Sequence, residues 1–377
     1  MSLFAYYFKL YKLHVKKQRC LMKKIYSLVA AVLYASCFSQ EVMLTHNFFS
    51  KEENPEKIFE SPSPYKALQE FLFKNKISIS CLQRENSFLF KKENPMNALQ
   101  EKIFNFLSSS EKFVAFSDNP KTQLVFWNLP PELSLKKLKK IPSDRLVLFA
   151  YEPPVISTRE YEPKVAECFS KIYTWNDELV DDKKYFKFFY PVLKPMANSL
   201  PGFSERKLCA MIAGNKSSHH PYELYSERQR ILAQMEQKNI EGFDLYGPDW
   251  DTSAHTSYRG YTDDKMETLK NYRFSICYEN MTHIKGYITE KIFDCFAAGT
   301  IPVYLGASNI TDYIPKHCFI DRRDFNSDAE LIKYLQQIDE STYCSYVNHI
   351  RAYLKSREAH VFSIENFCQT FKDAVKE

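Results

Sequence analysis

The sequence predicts an α/β protein of two domains, and three observations carry that expectation. Residues 272–315 read strand, charged turn, helix and strand, a βαβ-like unit of the kind that builds parallel sheets. Residues 122–127 (TQLVFW) and 145–150 (RLVLFA) are two further apolar strand-like runs with a lysine-rich amphipathic piece between them. Residues 190–203 (YPVLKPMANSLPGF) hold three prolines and the first glycine of the chain, the composition of an inter-domain linker. A chain of 377 residues, 45% hydrophobic and 26% charged, has the size for two cores and the composition of a globular protein.

Taken in order, the chain begins with a basic leader. Lys23 and Lys24 precede an uncharged apolar run at 25–38, which polar Ser39, Gln40 and Glu41 end. That run is short for a spanning helix and suits a signal-peptide core. Read from Met22 the segment has the three regions of a secretory signal; read from Met1 it carries a longer basic tail, as a type II anchor does. Residues 1–40 are therefore expected to be a signal peptide or membrane anchor, giving an exported or membrane-associated protein. The leader contains seven Lys or Arg and no acid, so the net charge of +5, less seven, leaves −2 on the rest. That balance does not indicate a nucleic-acid-binding body, and no nucleic-acid partner is expected.

Residues 41–110 are rich in Lys, Glu, Asn and Phe, with helices expected near 65–75 and 97–107. The strand at 145–150 runs directly into Tyr151, Glu152, Pro153 and Pro154. A carboxylate at the C-terminal end of a parallel strand, followed by two prolines, can face a cleft and act as a general base; it can equally be a solvated turn residue. Residues 171–176 (KIYTWN) read as another strand, and 183–190 (KKYFKFFY) as an amphipathic element covering a core.

Beyond the linker, 207–213 (KLCAMIA) is a buried strand, 214–220 (GNKSSHH) a polar loop, and 224–236 a helix with Arg228 and Arg230. One of these arginines can clamp a diphosphate, or both can be solvated helix charges. His219 and His220 have no partner at metal-ligand spacing, and the ten cysteines form no CxxC or Cys/His cluster, so no metal is implied. All eight glycines fall between 202 and 306 without a GxGxxG or Walker pattern, which argues against a dinucleotide dehydrogenase or a P-loop kinase. In the unit at 272–315, Tyr272, Phe274, Ile276 and Tyr278 alternate with smaller or polar residues as in a strand. Thr289 is the expected N-cap of a helix bearing Glu290 and Lys291, Gly299 stops it, and a strand follows at 301–305. Such units bind anions where strand ends meet helix N-termini.

These residues also carry a resemblance. Tyr278-Glu279-Asn280, then Gly286-Tyr287-Ile288-Thr289-Glu290-Lys291, then Gly299-Thr300-Ile301-Pro302-Val303-Tyr304-Leu305-Gly306 resemble the signature of glycosyltransferase family 10, the α1,3/α1,4-fucosyltransferases. Weaker similarity runs through 223–228, 243–247 and 148–154, so that about 120–345 is covered. The resemblance implies a GT-B fold, two Rossmann-like domains facing across a cleft. It implies an inverting enzyme that transfers L-fucose from GDP-β-L-fucose to an acceptor oligosaccharide or glycoconjugate, an α1,3 linkage to GlcNAc of an N-acetyllactosamine-type unit being expected, with no metal cofactor. The alternatives are a GT-B enzyme using another nucleotide sugar and a non-catalytic glycan-binding scaffold. By motif position Glu152 matches the base, and Arg228, Asn280, Tyr287, Glu290 and Lys291 match donor-binding residues. The expected layout is leader 1–40, acceptor-side domain 41–195, donor-binding domain 196–345 and helical segment 346–377. Asn280 lies in a sequon (Asn280-Met281-Thr282); a glycan there would fill the donor pocket, which favours a bacterial-type setting over a Golgi lumen.

Overall fold

The computed structural model describes residues 40–46, 64–75, 77–81, 123–129 and 133–375. The apolar run of the leader and the helix expected near 97–107 lie outside the described residues. Among those described, no helix is long and apolar enough to cross a membrane.

Two all-parallel sheets organise the chain. The first contains β1 (Gln40–His46), β2 (Ile77–Cys81), β3 (Gln123–Trp127), β4 (Leu146–Ala150), β5 (Lys171–Thr174) and β6 (Tyr185–Lys187), in the spatial order β2-β1-β3-β4-β5-β6. The second contains β7 (Lys207–Ile212), β8 (Phe243–Tyr246), β9 (Tyr272–Tyr278), β10 (Ile301–Leu305) and β11 (Ile320–Asp321), ordered β11-β10-β9-β7-β8. Strands β4 and β10 are buried along their whole length, and their continuous apolar runs are what a parallel sheet covered on both faces requires. Pro302 is the second residue of β10, near the strand start where its missing N–H does least harm.

Helices cover these sheets: α1 (Pro64–Lys74), α2 (Leu135–Leu138), α3 (Pro163–Ala166), α4 (Tyr225–Gln237), α5 (Lys265–Leu269), α6 (Glu290–Ala297), α7 (Asp328–Gln337), α8 (Glu340–Leu354) and α9 (Ile364–Ala374). Helix α6 ends where expected: Gly299 has φ 62°, and a Cβ there would lie 2.4 Å from Leu200 Cδ1. Left-handed geometry and the close approach both call for glycine.

Two expectations are corrected. Residues 183–190 do not form a separate covering element; residues 185–187 are the edge strand β6, paired to β5. Thr289 occupies the N-cap position of α6 but makes no capping hydrogen bond, because its hydroxyl is engaged by Glu279 and Lys291.

The C-terminal segment folds back onto the first sheet. Phe367 meets Trp127 edge-on at 5.4 Å, Phe371 stacks on Phe149 at 5.4 Å, and Lys372 Nζ donates to Asn75 Oδ1 at 2.6 Å. The proline-rich connection after β6 is tied down as it passes between the lobes. The N–H groups of Val192 and Leu193 donate to the Phe362 carbonyl, Ala197 N–H donates to the Ala297 carbonyl, and Lys194 pairs with Asp294 at 2.7 Å.

Candidate active site

The site starts at the C-terminal end of β9, where Glu279 is completely buried. An isolated carboxylate there would be costly to ionise, and the local sequence supplies its partners. Oε1 accepts from Thr289 N–H at 2.9 Å, and Oε2 accepts from the Thr289 hydroxyl at 2.8 Å and from Lys291 Nζ at 2.9 Å. Lys291 Nζ also donates to Thr289 Oγ1 at 2.9 Å. Burial alone would lower the Lys291 pKa, but Glu279 and then Glu290 outweigh it and hold the ammonium charged. Burial pushes Glu290 up, while Lys291 and Lys265 outweigh that and keep it ionised.

Arg228 reaches the same point from α4. It is 6% exposed, and its Nη2 donates to the carbonyls of Tyr278 and Glu279, both at 2.7 Å, and to Asn280 Oδ1 at 3.1 Å. Its other guanidinium nitrogens make no hydrogen bond to the described chain, yet the side chain lines the cavity. Arg230, two residues on, instead pairs with Glu227 at 2.5 Å and Asp328 at 2.9 Å at the surface. Burial thus separates the two arginines of one helix: Arg228 lines the cavity and Arg230 does not.

These groups surround a cavity of about 380 Å³, within the usual range for a small-molecule site. Arg228, Asn280, Glu290 and Lys291 all line it, together with Lys216, Lys265 and the largely exposed Tyr261. Tyr287 does not: it lies behind Asn280, whose Nδ2 donates to its hydroxyl at 3.4 Å, with its ring 4.6 Å from that of Trp175. Among the described residues no group of three or more His, Cys, Asp or Glu could hold a metal ion.

The loop from Asn280 to Thr289 is fastened to the other lobe. Gly286 N–H donates to Asn309 Oδ1 at 2.9 Å, and Asn309 Nδ2 donates to Asp177 at 2.9 Å. Asp177 also accepts from Tyr313 at 2.8 Å and Lys187 at 2.5 Å. Gly286 has φ 82°, and a Cβ would lie 2.4 Å from the Trp175 carbonyl oxygen, so glycine is what lets the lobes meet there.

Glu152 stands beyond the end of β4 on the facing lobe. Burial raises its pKa; Lys291 opposes, Glu290 adds to the rise and Lys216 opposes. Lys291, Glu290 and Lys216 all line the cavity, so the charges that act on Glu152 are those of the cavity wall, although Glu152 itself is not part of that wall. No side chain of the described chain donates a hydrogen bond to its carboxylate, whereas its backbone is held on both sides. Asn128 Oδ1 accepts its N–H at 2.8 Å and Tyr161 OH donates to its carbonyl at 2.7 Å.

Sequence reasoning missed the parts played by six residues. Glu279 was visible between Tyr278 and Asn280, but only contacts show that it is the counter-ion of Lys291. Lys216 sits in a loop whose polar composition signals no more than a loop, and Tyr261 and Lys265 belong to 251–271, which has no clear periodicity. Asn128 and Tyr161 act through tertiary contacts that leave no motif.

Residues 204–377 match the family model described as Glycosyltransferase family 10 (fucosyltransferase) C-term. The mouse 4-galactosyl-N-acetylglucosaminide 3-alpha-L-fucosyltransferase 9 is 35% identical over 150 residues, which are 38% of this chain and 37% of that protein. An alpha-(1,4)-fucosyltransferase of Arabidopsis thaliana is 34% identical over 96 residues, 25% of this chain and 24% of its own length. The matched region thus spans well under half of these relatives. A solved α1,3-fucosyltransferase with GDP superposes with a TM-score of 0.53 at 16% identity, covering 91% of this chain and 95% of that one. The likeness gives the fold as the two-sheet α/β architecture of GT-B enzymes.

Proposed function

Because the chain carries a glycosyltransferase family 10 (fucosyltransferase) domain over residues 204–377, we propose that it transfers L-fucose from GDP-β-L-fucose to a hydroxyl of an acceptor glycan, with inversion. The observation that carries the reading is the pairing of a cationic cavity wall, Lys291 and Arg228, with a partly buried, unbonded carboxylate on the opposite lobe.

In this reading the GDP diphosphate sits against Lys291 Nζ and the free donors of Arg228. Lys291 remains charged, and a planar guanidinium suits phosphate oxygens. These charges are preorganised by Glu279, Thr289 and the β9 carbonyls, so little reorganisation is needed as negative charge builds on the leaving group. No step calls for a metal ion, because two buried cations neutralise the diphosphate. Glu290, acceptor-only when ionised, takes hydroxyl donors from the ribose or the sugar, while Asn280, braced by Tyr287, shapes the wall beside it. Glu152 removes the proton from the acceptor hydroxyl as that oxygen attacks the anomeric carbon. The bond from that carbon to the β-phosphate oxygen breaks on the opposite face, and GDP leaves with the electron pair. A β-linked donor thus gives an α-linked product.

For the acceptor we propose GlcNAc of an N-acetyllactosamine-type unit, in α1,3 linkage; the mouse relative's own name describes such a substrate. We place residues 1–40 as a membrane-associating or export segment in an unglycosylated setting, since Asn280 of the sequon lines the donor cavity. Protease protection of membrane fractions tests that placement, and uniform release of the full chain as soluble protein would contradict it. Displacement of bound GDP by unlabelled GDP, UDP and ADP tests the donor. GDP should compete best; a preference for UDP would assign the cavity to another nucleotide sugar.

A further inference from the structure

Glu152 is held in place by contacts to its backbone. Asn128 directly follows β3, and its N–H donates to the Phe149 carbonyl at 2.9 Å, the last rung between β3 and β4. Its side chain then reaches over the end of β4: Oδ1 accepts the N–H of Tyr151 and the N–H of Glu152, both at 2.8 Å. From the other side Tyr161 OH donates to the Glu152 carbonyl, and Tyr190 OH donates to the Tyr151 carbonyl. The Tyr161 segment is anchored next to Asn128 in turn, since buried Glu160 accepts from Leu129 N–H at 2.8 Å. Pro153 further restricts the backbone of Glu152 to extended conformations.

Asn128 bears two unfavourable features to do this. It is 1% exposed with φ 58°, a left-handed geometry that asparagine tolerates better than most residues but still unfavourable. Its Nδ2 is buried without a hydrogen-bond partner among the described residues. A turn needed only to lead out of β3 has cheaper solutions, and such unfavourable features concentrate where they hold a functional group.

We propose that Asn128, with Tyr161 opposite it, is a positioning residue that fixes the backbone of Glu152, so that its carboxylate meets the acceptor hydroxyl at the cavity mouth. Asn128 does not line the cavity; it acts through Glu152, and the proposal rests on the reading of Glu152 as the base.

The test uses the full chain with GDP-fucose and N-acetyllactosamine and compares Asn128→Gly, Asn128→Asp and Tyr161→Phe, with Glu152→Gln as reference. Asn128→Gly keeps the left-handed backbone accessible and deletes the acceptor oxygen. It should lower kcat about 100-fold, the scale of an ångström-level misplacement, with the donor KM and GDP affinity unchanged. Its acid limb in the pH–rate profile should move to lower pH, because a loosened Glu152 is better solvated. Asn128→Asp retains the acceptor and should recover most of kcat. Tyr161→Phe removes one bond and should cost about 2- to 10-fold in kcat, with the acid limb moving the same way; this variant decides the matter if Asn128→Gly does not fold. Unchanged kcat and pH profile in Asn128→Gly, or in Tyr161→Phe should only that variant fold, would overturn the proposal. If Glu152→Gln itself kept its turnover, the base assignment would fail and this proposal with it. If Glu152→Gln lost turnover while Asn128→Gly kept it, positioning alone would fail.

Discussion

Two carboxylates follow strand ends on opposite lobes, and they are treated differently. Glu279, at the end of β9, has no exposure and bonds Thr289 twice and Lys291 once. Glu152, beyond the end of β4, is only partly buried, has its backbone clamped, and receives no hydrogen bond on its carboxylate from the described chain. The first is a fixed charge whose role is to keep a lysine charged and still. The second is a carboxylate whose proton affinity is raised by burial, a rise that Lys291 opposes without cancelling and that no hydrogen bond from the described residues offsets. Sequence position does not separate the two, since each follows a strand; the contacts do. In the proposed reaction the difference gives structure and donor charge to one lobe and proton transfer to the other.

Substitutions can break that contrast. Glu152→Gln removes the base and should lower kcat about 10²- to 10⁴-fold with GDP affinity and thermal unfolding almost unchanged; full turnover would erase the distinction. Glu279→Ala is the opposite case. It leaves Lys291, whose side chain is 25% exposed, without its buried counter-ion; breaking a fully buried pair costs about 3–5 kcal/mol and the partial exposure lowers that, so calorimetry should show a clearly lower unfolding midpoint. A stable Glu279→Ala protein would mean that Lys291 relaxes to solvent.

The pH–rate profile sharpens the comparison further. As the proposed base, Glu152 must be ionised to act, and burial raises its pKa, so kcat/KM should fall as pH drops through a value above the ordinary glutamate range of about 4.3. A limb at or below that value would remove Glu152 from the base role. The smallest effect concerns the two arginines of α4. Arg230→Ala breaks the pairs of a half-exposed guanidinium with Glu227 and with buried Asp328, which keeps Arg322 as a partner, and should cost about 1 kcal/mol of stability with GDP binding unchanged. Arg228→Ala should weaken GDP binding measurably; equal GDP affinities in the two variants would undo the assignment.

The donor side of this arrangement was readable because its chemistry is local. Strand β9, Glu290, Lys291 and the stop at Gly299 lie within thirty residues, and each follows from alternation, helical spacing or left-handed geometry. Local rules failed where tertiary contacts overrode them. Thr289 has the composition of a cap, but the carboxylate of Glu279 competes for its hydroxyl and wins. Residues 185–187 are amphipathic enough to cover a core, yet the open edge of β5 takes them as a strand. The facing lobe was the least legible: Asn128 sits 24 residues from the backbone it holds, and α9 closes on Trp127 and Phe149 from the far end of the chain. No periodicity records such pairings, because burial between distant segments decides them.

The most direct measurement is the product of the full chain incubated with GDP-β-L-fucose and N-acetyllactosamine, with the new linkage read by NMR and released GDP quantified. The account predicts one GDP per fucose transferred and an α-linked fucose on O3 of the GlcNAc. Absence of transfer despite tight GDP binding, or a β-linked product, would contradict it.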